Sequence, residues 1–207
     1  MKDKIICFLP NRKSKVSTMC KTLKKIKGKT AIELLEEFCV GCEPPIDIIG
    51  LARKIGIMTI PKDFSKIEEI QEVETGTILG ATFSLGDDLA IFYRPEDSFH
   101  RQKFTIAHEL AHCCNDCPKD EAVHIEYRLK PYICLDKDIL EKERRANIFA
   151  GELLIPKDGL MKIYNQLIIP SLTDLAKIFD VSTSVMAARL DYLKLPYYKD
   201  CTTENIL

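Results

Sequence analysis

No apolar run in this chain of 207 residues approaches the roughly 20 needed to span a bilayer. The early apolar run at residues 5–9 is also shorter than the core of about 7–15 residues that a signal peptide needs. Both absences predict a protein that works in the cytosol. Internal repeats and low-complexity tracts are missing too, which leaves an ordinary globular chain. An excess of one charge is lacking overall, since the formal net charge is −1, but the charge is unevenly spread. Residues 1–29 carry ten Lys or Arg against one acid, Asp3, and the remainder holds 20 basic and 30 acidic residues. No aromatics interleave with those lysines as a nucleic-acid stacking platform requires, so a solvated basic leader is expected.

What is present suits a soluble domain: 46% hydrophobic and 29% charged residues can bury a core without disulfides. The nine cysteines are an odd number. In a reducing compartment they are expected to be buried small hydrophobes or metal ligands. Two CxxC pairs, Cys39–Cys42 and Cys114–Cys117, have thiolate spacing for a second zinc, although they lie far apart.

Along the chain, 30–39 reads as a short amphipathic helix with Leu34, Leu35 and Phe38 at helical spacing. Pro44 and Pro45 break it. Asp47 then caps a helix over 48–54 that ends at Gly56, and a strand begins over 57–60. Runs 78–84 and 89–93 read as strands joined by a turn at 85–88. Helices are expected over about 98–114 and 136–155, separated by an irregular connection and stopped by Pro156. Two more helices over 171–193 flank a tight turn at 180–182, with Ser171 and Ser182 as caps.

The chemistry sits at His108-Glu109-Leu110-Ala111-His112, an HExxH pattern. In a helix, residues four apart share a face, so both imidazoles can reach one ion. Glu109 lies beside that face as the expected catalytic acid/base. Zinc keeps one position for a water, lowers its pKa and polarises the scissile carbonyl. Phe104, Ala107, Ala111 and Cys114 are read as an apolar stripe on the opposite side. The preceding hairpin can offer a strand edge to an extended peptide.

A third protein ligand is needed, and a further His at metzincin spacing is absent because position 115 is Asn and position 118 is Pro. The best candidate is Glu143, with Asn147 four residues on as a hydrogen-bonding partner for a ligand imidazole. Glu141 and His124 stand behind it. Small residues Ala146, Ala150 and Gly151 are expected to let this helix approach the first.

The motif Phe104-Thr105-Ile106-Ala107-His108-Glu109-Leu110-Ala111-His112, with Glu143, Ala146, Asn147, Phe149, Ala150, Leu153, Leu154 and Pro156, resembles the ImmA/IrrE family of bacterial and phage metallopeptidases. Residues 45–57 are similar to its helix-then-strand opening, and 175–190 to its closing helical pair. The resemblance implies a gluzincin-like fold, with His108, His112 and Glu143 as zinc ligands and Glu109 as the catalytic acid/base. It further implies an endopeptidase that cleaves a helix-turn-helix repressor and so relieves repression. Arg145 stands where members often carry an acid, and neither the CxxC after His112 nor the lysine-rich leader follows the family pattern.

The helical pair over 171–193 has a helix-turn-helix outline, but its second helix offers only Arg189 as a cation, opposed by Asp191. Direct nucleic-acid binding is therefore not expected, and protein recognition or structural closure is. The expectation is an α+β, zincin-like fold with a small twisted sheet, an active-site helix and a C-terminal helical part. Its parts are a basic leader at 1–29, a metallopeptidase domain at 30–165 and a helical pair with tail at 166–207. Zn2+ is the expected ion, and Mn2+ also suits two His and one carboxylate. Tyr93, Tyr127 and Tyr132 are candidates for stabilising the oxyanion. The second class of function is a non-catalytic regulatory or antitoxin-like binding module on the same fold.

Overall fold

The computed structural model describes residues 21–38, 40–85, 88–116, 124–129 and 137–199. It is an α+β fold in which helices surround a small mixed sheet. Helices α1 (Lys21–Ile26), α2 (Ala31–Glu37) and α3 (Ile48–Ile55) lead into strand β1 (Met58–Pro61) and helix α4 (Ser65–Ile70). Strands β2 (Ile78–Leu85) and β3 (Asp88–Tyr93) precede the long helix α5 (Phe99–Asn115). Strand β4 (His124–Leu129) and helices α6 (Lys137–Leu154), α7 (Lys157–Tyr164), α8 (Leu172–Phe179) and α9 (Thr183–Leu193) complete it.

Local chemistry sets the element ends. Thr30 and Glu33 form a reciprocal capping box on α2. The Asp47 carboxylate accepts from the Gly50 N–H at 2.8 Å and starts α3. Gly56 ends α3 at φ 100°, a left-handed conformation that costs glycine little. Ser98, Ser171 and Ser182 cap α5, α8 and α9 in the same way.

The strand order is β1-β3-β2-β4. β1 runs parallel to β3, while β2 is antiparallel to both β3 and β4, with a register shift between Ile78 and Gly80. Strand alternation splits the sheet into two faces. Thr82 points toward α5, whereas Ala81 joins Phe64 and Ile78 in a second apolar cluster with Ile67 and Tyr127 packed on it. α5 runs through the middle of the main core, buried at every position from Lys103 to Cys114 except Phe104. Among the described residues, no helix is long and apolar enough to cross a membrane.

Several elements differ from the sequence reading. The basic leader expected over 1–29 ends in folded chain: Ile26 is buried, and the Gly28 N–H donates to the Cys114 carbonyl at 2.8 Å. Residues 1–20 lie outside the described residues. The connection read as irregular contains β4. Pro156, read as a stop, also caps the start of α7. The α8–α9 pair is fastened to α5 through Lys103, whose buried ammonium donates to the Asp180 backbone carbonyl and lies 2.7 Å from its carboxylate. His100 Nε2 meets the other Asp180 oxygen at 3.0 Å.

Candidate metal centre

His108 and His112 lie one helical turn apart on α5, and their rings stand edge to face with centroids 4.8 Å apart. Their Nε2 atoms are 3.0 Å from each other. From α6, the Glu143 carboxylate places Oε2 at 3.1 Å from His108 Nε2 and Oε1 at 3.2 Å from His112 Nε2. Among the described residues, these three form the one group of His, Cys, Asp and Glu side chains with spacing suited to an ion. Glu141 is instead exposed and pairs with Arg144 at 2.8 Å. His124 opens β4 opposite Ser84.

Each imidazole is held from behind. His108 Nδ1 lies 2.9 Å from Asn147 Oδ1, and His112 Nδ1 lies 2.8 Å from Asp116 Oδ2. Both acceptors draw the proton to Nδ1, so each Nε2 turns a lone pair toward the other. Two lone pairs at that separation repel unless a cation lies between them. Tetrahedral zinc ligands at about 2.0–2.1 Å stand roughly 3.3 Å from one another, close to the three separations seen here. The donor set therefore fits a divalent ion.

The fields within the cluster point the same way. Burial pushes His108 down to about 4. For His112, burial also opposes the charge, but the Glu143 hydrogen bond, the Glu109 charge and Asp116 outweigh it and raise its pKa. Burial disfavours the charged form of Glu143 as well, yet its two histidine contacts hold it well below the usual carboxylate range.

Glu109 is fully buried beside the histidines. Its Oε2 accepts from the Thr82 hydroxyl at 2.8 Å, while Oε1 has no hydrogen-bond partner among the described residues. Burial pushes this carboxyl up to about 7, with His112 and the Thr82 hydrogen bond offsetting part of the rise. Space for Glu109 depends on Gly80, where an added Cβ would lie 2.6 Å from Thr105 Cγ2 and 3.2 Å from Glu109 Oε1.

α6 packs on α5, and its Ala146 and Ala150 are buried in the main core. Gly151 does not serve this approach: a Cβ there would meet Arg189 Cδ of α9 at 4.0 Å. Phe104 is not opposite the two histidines either. Four residues before His108, it shares that residue's face, with ring centroids 6.3 Å apart. Tyr93 packs against the main core and Tyr127 against the second cluster. Tyr132 lies outside the described residues, as do Cys39 and Cys117, one from each CxxC pair. Cys114 is buried, which pushes its thiol up to about 12.

Sequence reasoning overlooked Asp116, Thr82 and Gly80. Asp116 carried a signal, standing four residues after His112 on the same helical face. Thr82 and Gly80 reach the site across the sheet, which no local spacing announces. The sequence model of the peptidase family M78, described as the IrrE N-terminal-like domain, matches residues 54–191. That span contains the whole cluster. No curated protein matches the chain significantly.

Proposed function

Since the chain belongs to the IrrE N-terminal-like peptidase family, we propose that it is a zinc-dependent endopeptidase of zincin-like fold that cuts a helix-turn-helix transcriptional repressor in the cytosol. The observation that carries the catalytic part is the convergence of His108 Nε2, His112 Nε2 and the Glu143 carboxylate beside a buried, half-partnered Glu109. The repressor as substrate is supported by the sequence resemblance.

Zinc bound by the three side chains supplies Lewis acidity, polarising a carbonyl and acidifying a water. Glu109 Oε1 is the free base: it takes a proton from the attacking water and returns it to the leaving amine as the C–N bond breaks. The Thr82 hydroxyl, donating to Oε2, fixes which oxygen faces the reaction. Asn147 and Asp116 hold the two ligand imidazoles in the tautomer that presents Nε2.

Elemental analysis tests the centre first. One zinc per chain, lost in both His108→Ala and Glu143→Ala, is expected; zinc-loaded wild type without metal would sink the proposal. The substrate is tested by mapping new protein N-termini in cells making wild type or Glu109→Gln. New termini within one helix-turn-helix regulator, present with wild type alone, are expected. Derepression undiminished by Glu109→Gln would instead favour the non-catalytic binding module.

A further inference from the structure

A groove of about 450 Å³ opens beside the metal centre, between β4, α5, α6 and α9. Two of its lining residues belong to the centre's surroundings: Asn147, which holds His108, and Phe104, which packs near the same ring. Its charged lining consists of Arg128, Arg144 and Arg189, and no Asp or Glu is among the described residues that line it. The chain as a whole is nearly balanced in charge, with a formal net charge of −1, so this lining is locally basic.

The three arginines are not equivalent. Arg189 is buried and engaged, donating to the Ile155 carbonyl at 3.1 Å and pairing with Glu152 at 3.2 Å. Arg144, at the exposed rim, pairs with Glu141. Arg128 is half-buried and has neither an ion pair nor a hydrogen bond among the described residues; its guanidinium carbon lies 5.4 Å from the centre of the Phe104 ring. Burial lowers its pKa, and the fields of Glu109, Glu143 and Asp97 oppose that only in part. Glu109 and Glu143 belong to the metal centre, and Asp97 is 3.3 Å from Arg101. Burying a cation without a paired anion is costly, so the position is favourable only when something arrives to share it.

Strand register explains how Arg128 reaches the site. It stands directly opposite Gly80 on β2, and opposed residues of an antiparallel pair share a face. That face is the one Glu109 packs against, and Gly80 contributes no side chain to fill it. Ile148 and Val185 give the groove an apolar lining for methylene groups.

We propose that this groove is a substrate subsite that selects an acidic side chain, Asp or Glu, near the cut bond, and that the Arg128 guanidinium reads its carboxylate. The inference rests on the peptidase reading and names the substrate chemistry of that same site. A guanidinium–carboxylate contact is bidentate and discriminates strongly against the neutral amide.

The test uses the zinc-loaded full chain and blocked tripeptide hydroxamates that carry Glu, Gln or Lys at each position in turn. Wild type should bind the Glu compound at one position about ten- to hundredfold more tightly than its Gln counterpart. Arg128→Gln should erase that gap, and Arg128→Glu should turn the preference to Lys. A purely structural or general electrostatic role for Arg128 would weaken all three compounds alike and leave their ratios unchanged. Equal affinities in wild type, or a Glu preference that survives Arg128→Gln, would overturn the acidic subsite alone. Failure of every hydroxamate to bind wild type would overturn the metal centre on which it rests. Should the Arg128 variants lose zinc, Arg144→Gln at the rim carries the same comparison, with a two- to threefold narrowing of the Glu–Gln gap expected and an unchanged gap counting against the subsite.

Discussion

Glu68 and Glu109 are both buried carboxylates on helices, and both are tied to strand β2. Glu68 accepts from the backbone N–H groups of Gly76 at 3.0 Å and Ile78 at 2.7 Å, and it pairs with the buried Arg94 guanidinium. Arg94 in turn donates through Nε to the Ile78 carbonyl at 2.6 Å. Every oxygen of Glu68 is occupied. Glu109, as shielded from solvent as Glu68 but deeper in the fold, has one hydrogen bond and one oxygen with no hydrogen-bond partner among the described residues. Burial alone would raise both pKa values. For Glu68, Arg94 and the two N–H groups outweigh it and the net shift is downward; for Glu109 burial wins. The same residue type thus serves as a structural anchor when its lone pairs are filled, and suits the role of base proposed for Glu109 when it lies deeper and one oxygen is left open.

Substitutions sharpen that contrast. Glu109→Gln should lower peptide cleavage by about a hundred- to ten-thousandfold while leaving thermal stability unchanged or raised. A large fall in Tm with activity intact would reverse the assignment of roles. Glu68→Ala should do the opposite, costing about 3 kcal/mol of stability in urea unfolding because it removes the buried partner of Arg94 and leaves that guanidinium only the exposed Glu96 as a counter-charge, with zinc content per folded chain unaffected. The pH dependence has the matching sign. The lowered folded-state pKa of Glu68 means its contribution is fully present above the ordinary carboxylate value and is lost as pH falls below it. Glu68→Gln should therefore flatten the acid limb of the stability–pH curve, and an unchanged limb would remove Glu68 from the explanation.

Smaller effects probe the supports of the centre. Asn147→Ala should weaken metal affinity about ten- to a hundredfold in chelator competition, by freeing the His108 ring. Gly80→Ala should cost about 1–2 kcal/mol and reduce turnover, because its Cβ would press on Thr105 and crowd Glu109. If Gly80→Ala leaves both unchanged, the close approach at β2 is softer than the distances imply.

The parts legible in the sequence are those written in local periodicity. His108, Glu109 and His112 are set by the helical repeat, and Glu143 with Asn147 by the same four-residue spacing on α6. β4 was hidden although Ile125, Tyr127 and Leu129 alternate with His124, Glu126 and Arg128, because cysteines and prolines on either side read as irregular chain. α1 was hidden by its lysines, which outweigh Leu23 and Ile26 in any compositional reading. Thr82, Gly80 and Arg128 enter the site through strand pairing over long sequence separation, and no single segment encodes that meeting. Glu68 gave no sign of its burial, since its partner Arg94 lies 26 residues away.

The division of the proposed ligand set between two helices has a thermodynamic consequence. Two come with a single turn of α5, so they are already neighbours whenever that turn is helical, but Glu143 arrives only when α6 docks. Any cation gripped by all three therefore binds the docked arrangement in preference to the loosened one, and mass action makes it a rivet between the helices. Chelation should loosen α6 before the rest of the core, and an ensemble in which α6 swings free should surrender its ion just as readily.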